Sequence, residues 1–358
     1  MVRLIVDANA GSYPVIVGSD ALRELRGVTR RLDPTAVAII TDRNVTRLAE
    51  KVAKSIRPSG IRTFIHVVPA GERSKSMGAL AEVLAFLERT RIDRGGLVIA
   101  VGGGTVGDLA GFAASIWQRG VRLVTVPTTL LAMVDSSIGG KTGVNGVHSK
   151  NAIGTFWQPS AVVADLTCLE TLPAARFRDA FAEVVKYGVA MDRGLFELLQ
   201  KERERLLAAD RRVLERVVFR CVTAKALVVA RDERERGPRA ILNYGHTAGH
   251  ALEAASRFRV SHGRAVAFGM RIAAKIALSL DLCSARMVEA QDALLTEFGL
   301  PDRPPAVDPA RVLAAIPRDK KARRGKVAWV MPRRLGHAET GHAVPPAVVR
   351  RVVRRALA

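Results

Sequence analysis

The chain has 358 residues, 48% of them hydrophobic and 25% charged, which suits two domains and excludes a disordered chain. The formal net charge is +22, but basic residues in 203–216, 231–239 and 318–334 are interleaved with apolar or acidic ones, and aromatics are only 5%. Platforms for stacking bases are therefore scarce, and the charge reads as an arginine-rich solvated surface with a positive cleft for a small anion rather than a nucleic-acid interface.

Short apolar runs at 3–7, 15–17, 36–41, 63–68, 97–101, 123–126 and 161–164 read as strands, several of them β-branched and nearly continuous in apolar character, as in strands covered on both faces. Between them, 45–55 and 77–90 have helical periodicity, so the first half predicts an α/β domain with a parallel sheet. After Pro173 helical patterns dominate, at 174–189, 194–208, 211–230, 239–257, 263–280 and 285–297, with one late strand at 326–331. The expected division is an α/β domain over 1–172 and a mainly α-helical domain over 173–358.

Cys168, Cys221 and Cys283 lack metal-type spacing and are odd in number, so a reducing compartment is expected. Residues 1–20 lack the pattern of a signal peptide, and no apolar run approaches the roughly 20 residues of a membrane span. The expectation is a soluble, cytoplasmic protein with no membrane partner.

Gly102-Gly103-Gly104-Thr105-Val106-Gly107-Asp108 follows the run 97–101 and precedes a helical stretch. Consecutive glycines let backbone N–H groups approach a phosphate, and a helix N-terminus adds positive charge. The same residues also suit a tight strand–helix turn with no ligand. The usual dinucleotide fingerprint carries an acid about 20 residues downstream. Here the next strand ends in Pro127-Thr128-Thr129, and Asp42, after 36–41, is the better ribose candidate.

His246 and His250 are spaced i, i+4 on one helix face, His262 opens the next helix, and Glu183 lies in a mostly apolar stretch. Two imidazoles and a carboxylate can hold a divalent ion and leave positions open for substrate oxygens. Core or surface packing explains such spacing equally well, although Gly245 and Gly249 suggest the close approach of another element. The segment 135–151 is rich in glycine and polar residues, with Asp135, Lys141, Lys150 and Asn151. It reads either as a solvated loop or as a grip for phosphate or carboxylate. Lys186, Lys225, Arg239, Lys320 and Lys321 recur beside the helical motifs. Singly each suits a solvated surface; together they describe a ligand with two anionic ends.

Five stretches, 102–111 (GGGTVGDLAG), 119–143 (RGVRLVTVPTTLLAMVDSSIGGKTG), 181–188 (FAEVVKYG), 232–250 (DERERGPRAILNYGHTAGH) and 319–321 (DKK), resemble the 3-dehydroquinate synthases in the family's order, over nearly the whole chain. The resemblance implies a Rossmann-like NAD-binding domain followed by a helical metal- and substrate-binding domain, with NAD and a divalent metal, zinc or cobalt, as cofactors. It implies Glu183, His246 and His262 as metal ligands. It implies Asp42, Glu72, Lys75, Gly104, Thr105, Val106, Gly107, Asp108, Thr128, Thr129, Lys141, Lys150, Cys168, Leu169, Glu170 and Thr171 as cofactor contacts. Lys225 and Arg239 resemble a grip on the substrate carboxylate. Lys141, Asn151, Asn243, His250 and one of Lys320 or Lys321 resemble the phosphate grip. Asp135 and Lys186 resemble residues beside the substrate hydroxyls; these two, His250 and Lys225 are the implied catalytic groups. Arg119 resembles a residue that reaches the phosphate from a partner subunit, which implies a homodimer.

The implied reaction converts 3-deoxy-D-arabino-heptulosonate 7-phosphate to 3-dehydroquinate and phosphate in the shikimate pathway. A C–H beside an alcohol is too weak an acid to ionise. Transient oxidation by NAD makes the neighbouring proton acidic, phosphate is eliminated, the hydride returns and an intramolecular aldol closes the ring. A sister cyclase such as an aminodehydroquinate synthase is the nearest alternative, with a polyol dehydrogenase of similar fold and a basic nucleic-acid-binding protein further off. Three positions depart from the family pattern: Arg264 in place of an acid after His262-Gly263, Met133 in place of Gln, and Ser149 in place of Gly. An arginine beside a metal histidine adds positive charge where a carboxylate orients the ring.

Overall fold

The computed structural model of the chain describes residues 1–56, 60–147, 149–300, 302, 307–318 and 327–357. Two compact units emerge, one of residues 1–172 with 214–234, the other of residues 173–213 with 235–358. The expected division at residue 172 assigned 214–234 to the second domain, whereas the backbone groups this segment with the first unit. Its side chains show why. Glu215 meets the amino group of Met1, Lys225 meets Asp135, and Glu233 accepts from Gln158 and from the backbone of Asn9.

In the first unit the strands are β1 (Val2–Val6), β2 (Tyr13–Gly18), β3 (Ala36–Asp42), β4 (Arg62–Val68), β5 (Leu97–Gly102), β6 (Arg122–Pro127), β7 (Lys141–Val144), β8 (Ile153–Phe156) and β9 (Ala161–Asp165). Seven of them form one sheet in the order β1-β2-β9-β6-β5-β3-β4. All neighbours run parallel except the edge pair β1–β2. Every residue of β3, β5 and β9 is buried, because alternate side chains enter opposite layers. Ala36, Ala38, Ile40, Val98 and Ala100 join one core with Val83 and Leu87 of α3 (Met77–Arg89) and Leu109 and Ala113 of α4 (Gly104–Ile116). Val37, Ile39, Leu97, Ile99 and Val101 join the other with Leu25 and Val28 of α1 (Leu25–Leu32) and Val52 and Ile56 of α2 (Thr46–Ile56).

The chain passes from β3 to β4 on one side and then to β5 on the other, so the topological switch lies between β3 and β5. Open α/β sheets bind ligands at the carboxyl ends of strands at such a point. Asp42 and Gly102 end these two strands.

The glycine-rich segment 135–151, read from sequence as a solvated loop or an anion grip, contains β7, which pairs with β8 just beyond it in a hairpin. Gly143 faces Gly154 across it, and a Cβ at Gly154 would collide with the carbonyl oxygen of Thr142. The glycines there permit close strand approach, a use that composition does not separate from loop formation.

In the second unit, α5 (Ala174–Ala190) is buried along most of its length. It is followed by α6 (Arg193–Lys201), α7 (Arg203–Leu207) and α8 (Arg211–Arg231), whose greater part belongs to the first unit. Then come α9 (His246–Ala255), α10 (His262–Ser279), α11 (Ala285–Glu297), α12 (Pro309–Ala315), the pair β10 (Ala328–Arg334) and β11 (His337–Ala343), and α13 (Pro346–Leu357). The helix expected over 239–257 is two elements, a 3-10 turn over Pro238–Asn243 and α9. Gly245 between them has φ +80, a left-handed conformation that ends one helix and starts another. The strand β11 escaped the sequence reading because its residues are mostly polar and exposed. No helix among the described residues is long and apolar enough to cross a membrane.

Candidate functional site

In the first unit, β5 runs into the glycine turn, Gly103 precedes the first turn of α4, and the backbone N–H of Thr128 donates to the carbonyl of Gly102 at 2.9 Å. A Cβ at Gly102 would stand 2.6 Å from Val106, and one at Gly104 2.8 Å from the Ser136 hydroxyl. Side chains are excluded from this turn by its own neighbours. With glycine as its N-cap residue, α4 has no side-chain cap, and its first N–H groups can serve a phosphate. Asp42 is buried and accepts from the backbone N–H of Asn44 at 2.8 Å. Cys168, Leu169, Glu170 and Thr171 lie in a 3-10 turn that follows β9, capped by Asp165.

Lys75, buried, gathers a polar network at the same end of the sheet. It donates to Asp108 at 2.5 Å and to Asn151. Asn145 accepts from the Asn151 backbone at 2.8 Å and donates to Glu72 at 2.9 Å. Burial raises the Asp108 carboxyl above its ordinary value, and the Lys75 ammonium partly offsets this. Thus the structure brings Glu72, Lys75, Asp108 and Asn151 together. Lys225 donates to the carboxylate of Asp135 and to its carbonyl oxygen, each at 2.6 Å. Lys141 begins β7 and is exposed, as is Arg119, which has a positive φ of 65.

In the second unit the helices α5, α9 and α10 approach closely, and glycine permits it. A Cβ at Gly249 would stand 2.9 Å from the carbonyl oxygen of Ala265, and one at Gly245 equally close to that of Val266. A Cβ at Gly263 would collide with the backbone of Asp179 on α5. The element whose approach Gly245 and Gly249 imply is therefore α10. His246 is the first residue of α9 and His262 the first of α10, so both rings meet Glu183 in the middle of α5. The Oε1 atom of Glu183 lies 3.2 Å from Nε2 of His262 and 3.4 Å from Nε2 of His246. One ligand atom from each of the three residues lies within 4.8 Å of the others.

The remaining contacts orient these groups. The Nδ1 atom of His246 lies 3.2 Å from the Tyr244 carbonyl oxygen, which leaves Nε2 as the ligating atom. Glu183 is fully buried and ion-paired through Oε2 with Lys186 one turn along α5. Burial works against its charge, but Lys186 and His246 hold the carboxyl well below the usual range. Burial pushes His246 down to about 4, so it is neutral and able to donate a lone pair. Burial also works against charge on His262, but the flanking carboxylates of Glu183 and Glu253 outweigh it and push the ring up to about 10. A dense convergence of one carboxylate and two imidazoles fits a divalent ion by donor type, number and spacing.

His250 lies one turn beyond His246, their ring centroids 5.2 Å apart. Asn243 donates to Glu235 at 2.6 Å, and Arg239 is fully buried in the preceding 3-10 turn. Lys320 and Lys321 lie outside the described residues. Arg264, half exposed, turns its guanidinium towards Asp179 on α5 at 3.8 Å. The expectation of added positive charge beside His262 is met at that distance by a carboxylate. Glu253 was missed, yet its spacing was legible: residues 246, 250 and 253 fall at i, i+4 and i+7 on α9.

The fold is that of the sugar-phosphate cyclases. The chain superimposes with a TM-score of 0.91 on a 2-deoxy-scyllo-inosose synthase complexed with carbaglucose-6-phosphate, NAD+ and Co2+, at 26% identity, covering 99% of this chain and 100% of that one. Residues 65–179 match the 3-dehydroquinate synthase N-terminal family and residues 180–322 its C-terminal family. The 3-dehydroquinate synthase of Pelobacter propionicus is 44% identical, over 93% of this chain and 94% of that protein. That of Gloeobacter violaceus is 43% identical, over 99% of each. The chain belongs to the 3-dehydroquinate synthase family.

Proposed function

We propose that this protein is a cytoplasmic 3-dehydroquinate synthase, an NAD- and metal-dependent lyase that cyclises 3-deoxy-D-arabino-heptulosonate 7-phosphate in the shikimate pathway. The observation that carries this reading is the convergence of Glu183, His246 and His262 in a chain of this family. A divalent ion held by these three residues would polarise substrate oxygens, and NAD bound at the glycine turn would remove and return one hydride.

The chain's own groups supply the rest. The α4 N-terminus and the Gly103–Gly104 backbone cradle the dinucleotide pyrophosphate, and Asp42 takes a ribose hydroxyl. Lys225 and Arg239 bind the substrate carboxylate. Lys141, Asn151, Asn243, His250 and one of Lys320 or Lys321 hold the phosphate, placing its oxygen to receive the proton lost in elimination. Asp135, which accepts from Lys225, accepts from a substrate hydroxyl, and Lys186, paired with Glu183, stands beside another. His250 stands with the groups that grip the leaving phosphate. The working form is a homodimer in which Arg119 of one subunit reaches the phosphate site of the other.

The test is to incubate purified protein with the heptulosonate phosphate, NAD and zinc or cobalt. Stoichiometric phosphate release without lasting NADH absorbance, and a product of the mass of 3-dehydroquinate, are expected. Lasting accumulation of NADH without phosphate release would point instead to a dehydrogenase.

A further inference from the structure

Each of the two imidazoles beside Glu183 has a second ring nitrogen, and a metal-binding histidine normally engages that nitrogen to fix its tautomer and ring angle. For His246 the partner is the backbone carbonyl of Tyr244. For His262 the nearest candidates are Arg264, two residues on, and Glu253 on α9. Arg264 is half exposed and faces Asp179, so it does not serve.

A different element fills the role. Glu253, on α9, is 4% exposed, and its Oε1 atom lies 3.6 Å from Nδ1 of His262, while Nε2 of the same ring faces Glu183 at 3.2 Å. Burying a carboxylate is costly unless it meets donors or cations, and the His262 ring is one such group within reach. The spacing is set by main-chain packing. Gly249, one turn before Glu253, lies against the backbone of Ala265 on α10, so Glu253 and His262 are carried by the two helices in closest approach.

We infer that Glu253 is a positioning residue for the metal centre: across the α9–α10 packing it faces Nδ1 of His262 and keeps Nε2 directed at the ion. The inference rests on the reading of Glu183, His246 and His262 as metal ligands, and it assigns to α9 one group that binds the ion, His246, and one that aims a second ligand.

The test measures zinc and cobalt dissociation constants of the full-length protein by competition with a chromogenic chelator, together with the visible absorption of the cobalt form. Glu253→Ala is expected to weaken metal binding about 10- to 100-fold and to alter the cobalt spectrum, while Glu253→Gln, whose amide keeps an oxygen facing Nδ1, recovers most of the affinity. Arg264→Ala is expected to leave affinity within about twofold. Glu253→Met fills the same space without an acceptor and carries the same expectation as Ala if the smaller side chain prevents folding. Wild-type affinity in a folded Glu253→Ala or Glu253→Met protein would overturn the inference, as would a Gln variant no better than either. A lowered melting temperature with unchanged metal affinity would show a purely structural role. A wild-type protein that binds no ion would sink the ligand assignment itself.

Discussion

Glu183 and His246 meet with Oε1 and Nε2 at 3.4 Å, one from the middle of α5 and the other from the first residue of α9. A buried carboxylate held ionised and an imidazole held neutral are the two states that donate to a metal.

Glu183→Gln and His246→Ala are each expected to lower bound metal after dialysis from near one ion per chain to well under half, with turnover lost. Atomic absorption and far-ultraviolet circular dichroism on the same samples check this. Full occupancy in both variants would refute the assignment.

Gly263→Ala places a methyl group against the backbone of Asp179, where neither partner is a flexible side chain. Overpacking of this kind costs about 1–3 kcal/mol. The expected result is a lower urea midpoint, with metal affinity also reduced because His262 is the adjoining residue. Unchanged stability would mean that α5 and α10 are not in such close contact.

Lys75→Met leaves the Asp108 carboxylate without its ammonium partner. Losing that partner is expected to cost about 1–3 kcal/mol, and adding Asp108→Asn to recover part of it, because the neutral amide needs no counter-ion. Urea unfolding of the single and double variants measures the coupling. Strict additivity would show that the pair contributes nothing.

Arg239→Lys retains the charge but loses the planar two-pronged donor set. If Arg239 grips the carboxylate, KM for the sugar phosphate rises at least about tenfold while the dissociation constant for NAD, measured by titration, stays within about twofold. Equal losses for both ligands would remove the carboxylate role.

The strands of the first unit were legible because strands buried on both faces must be apolar at nearly every position, as in β3 and β5. The hairpin β7–β8 was not, since its glycines carry the same composition as a loop and acquire their meaning from Thr142 and Ile153 opposite them. Likewise 239–257 has one continuous helical pattern, and the break at Gly245 follows from its packing against Met270 and Val266.

The residues of the candidate metal centre could be named from spacing and family resemblance, because His246 and His250 share a helix face and Glu183 stands out in apolar sequence. Their convergence could not, because Glu183, His246 and His262 come from three helices. Only the glycine-mediated approach of α5, α9 and α10 sets their distances. The sequence by itself determined the chemistry available, the apolar strands of the first unit and the family. Tertiary structure decided that Arg264 faces Asp179 and that Glu253 faces His262. Side-chain partnership depends on which helix faces meet, and that is fixed by packing between segments distant in the chain.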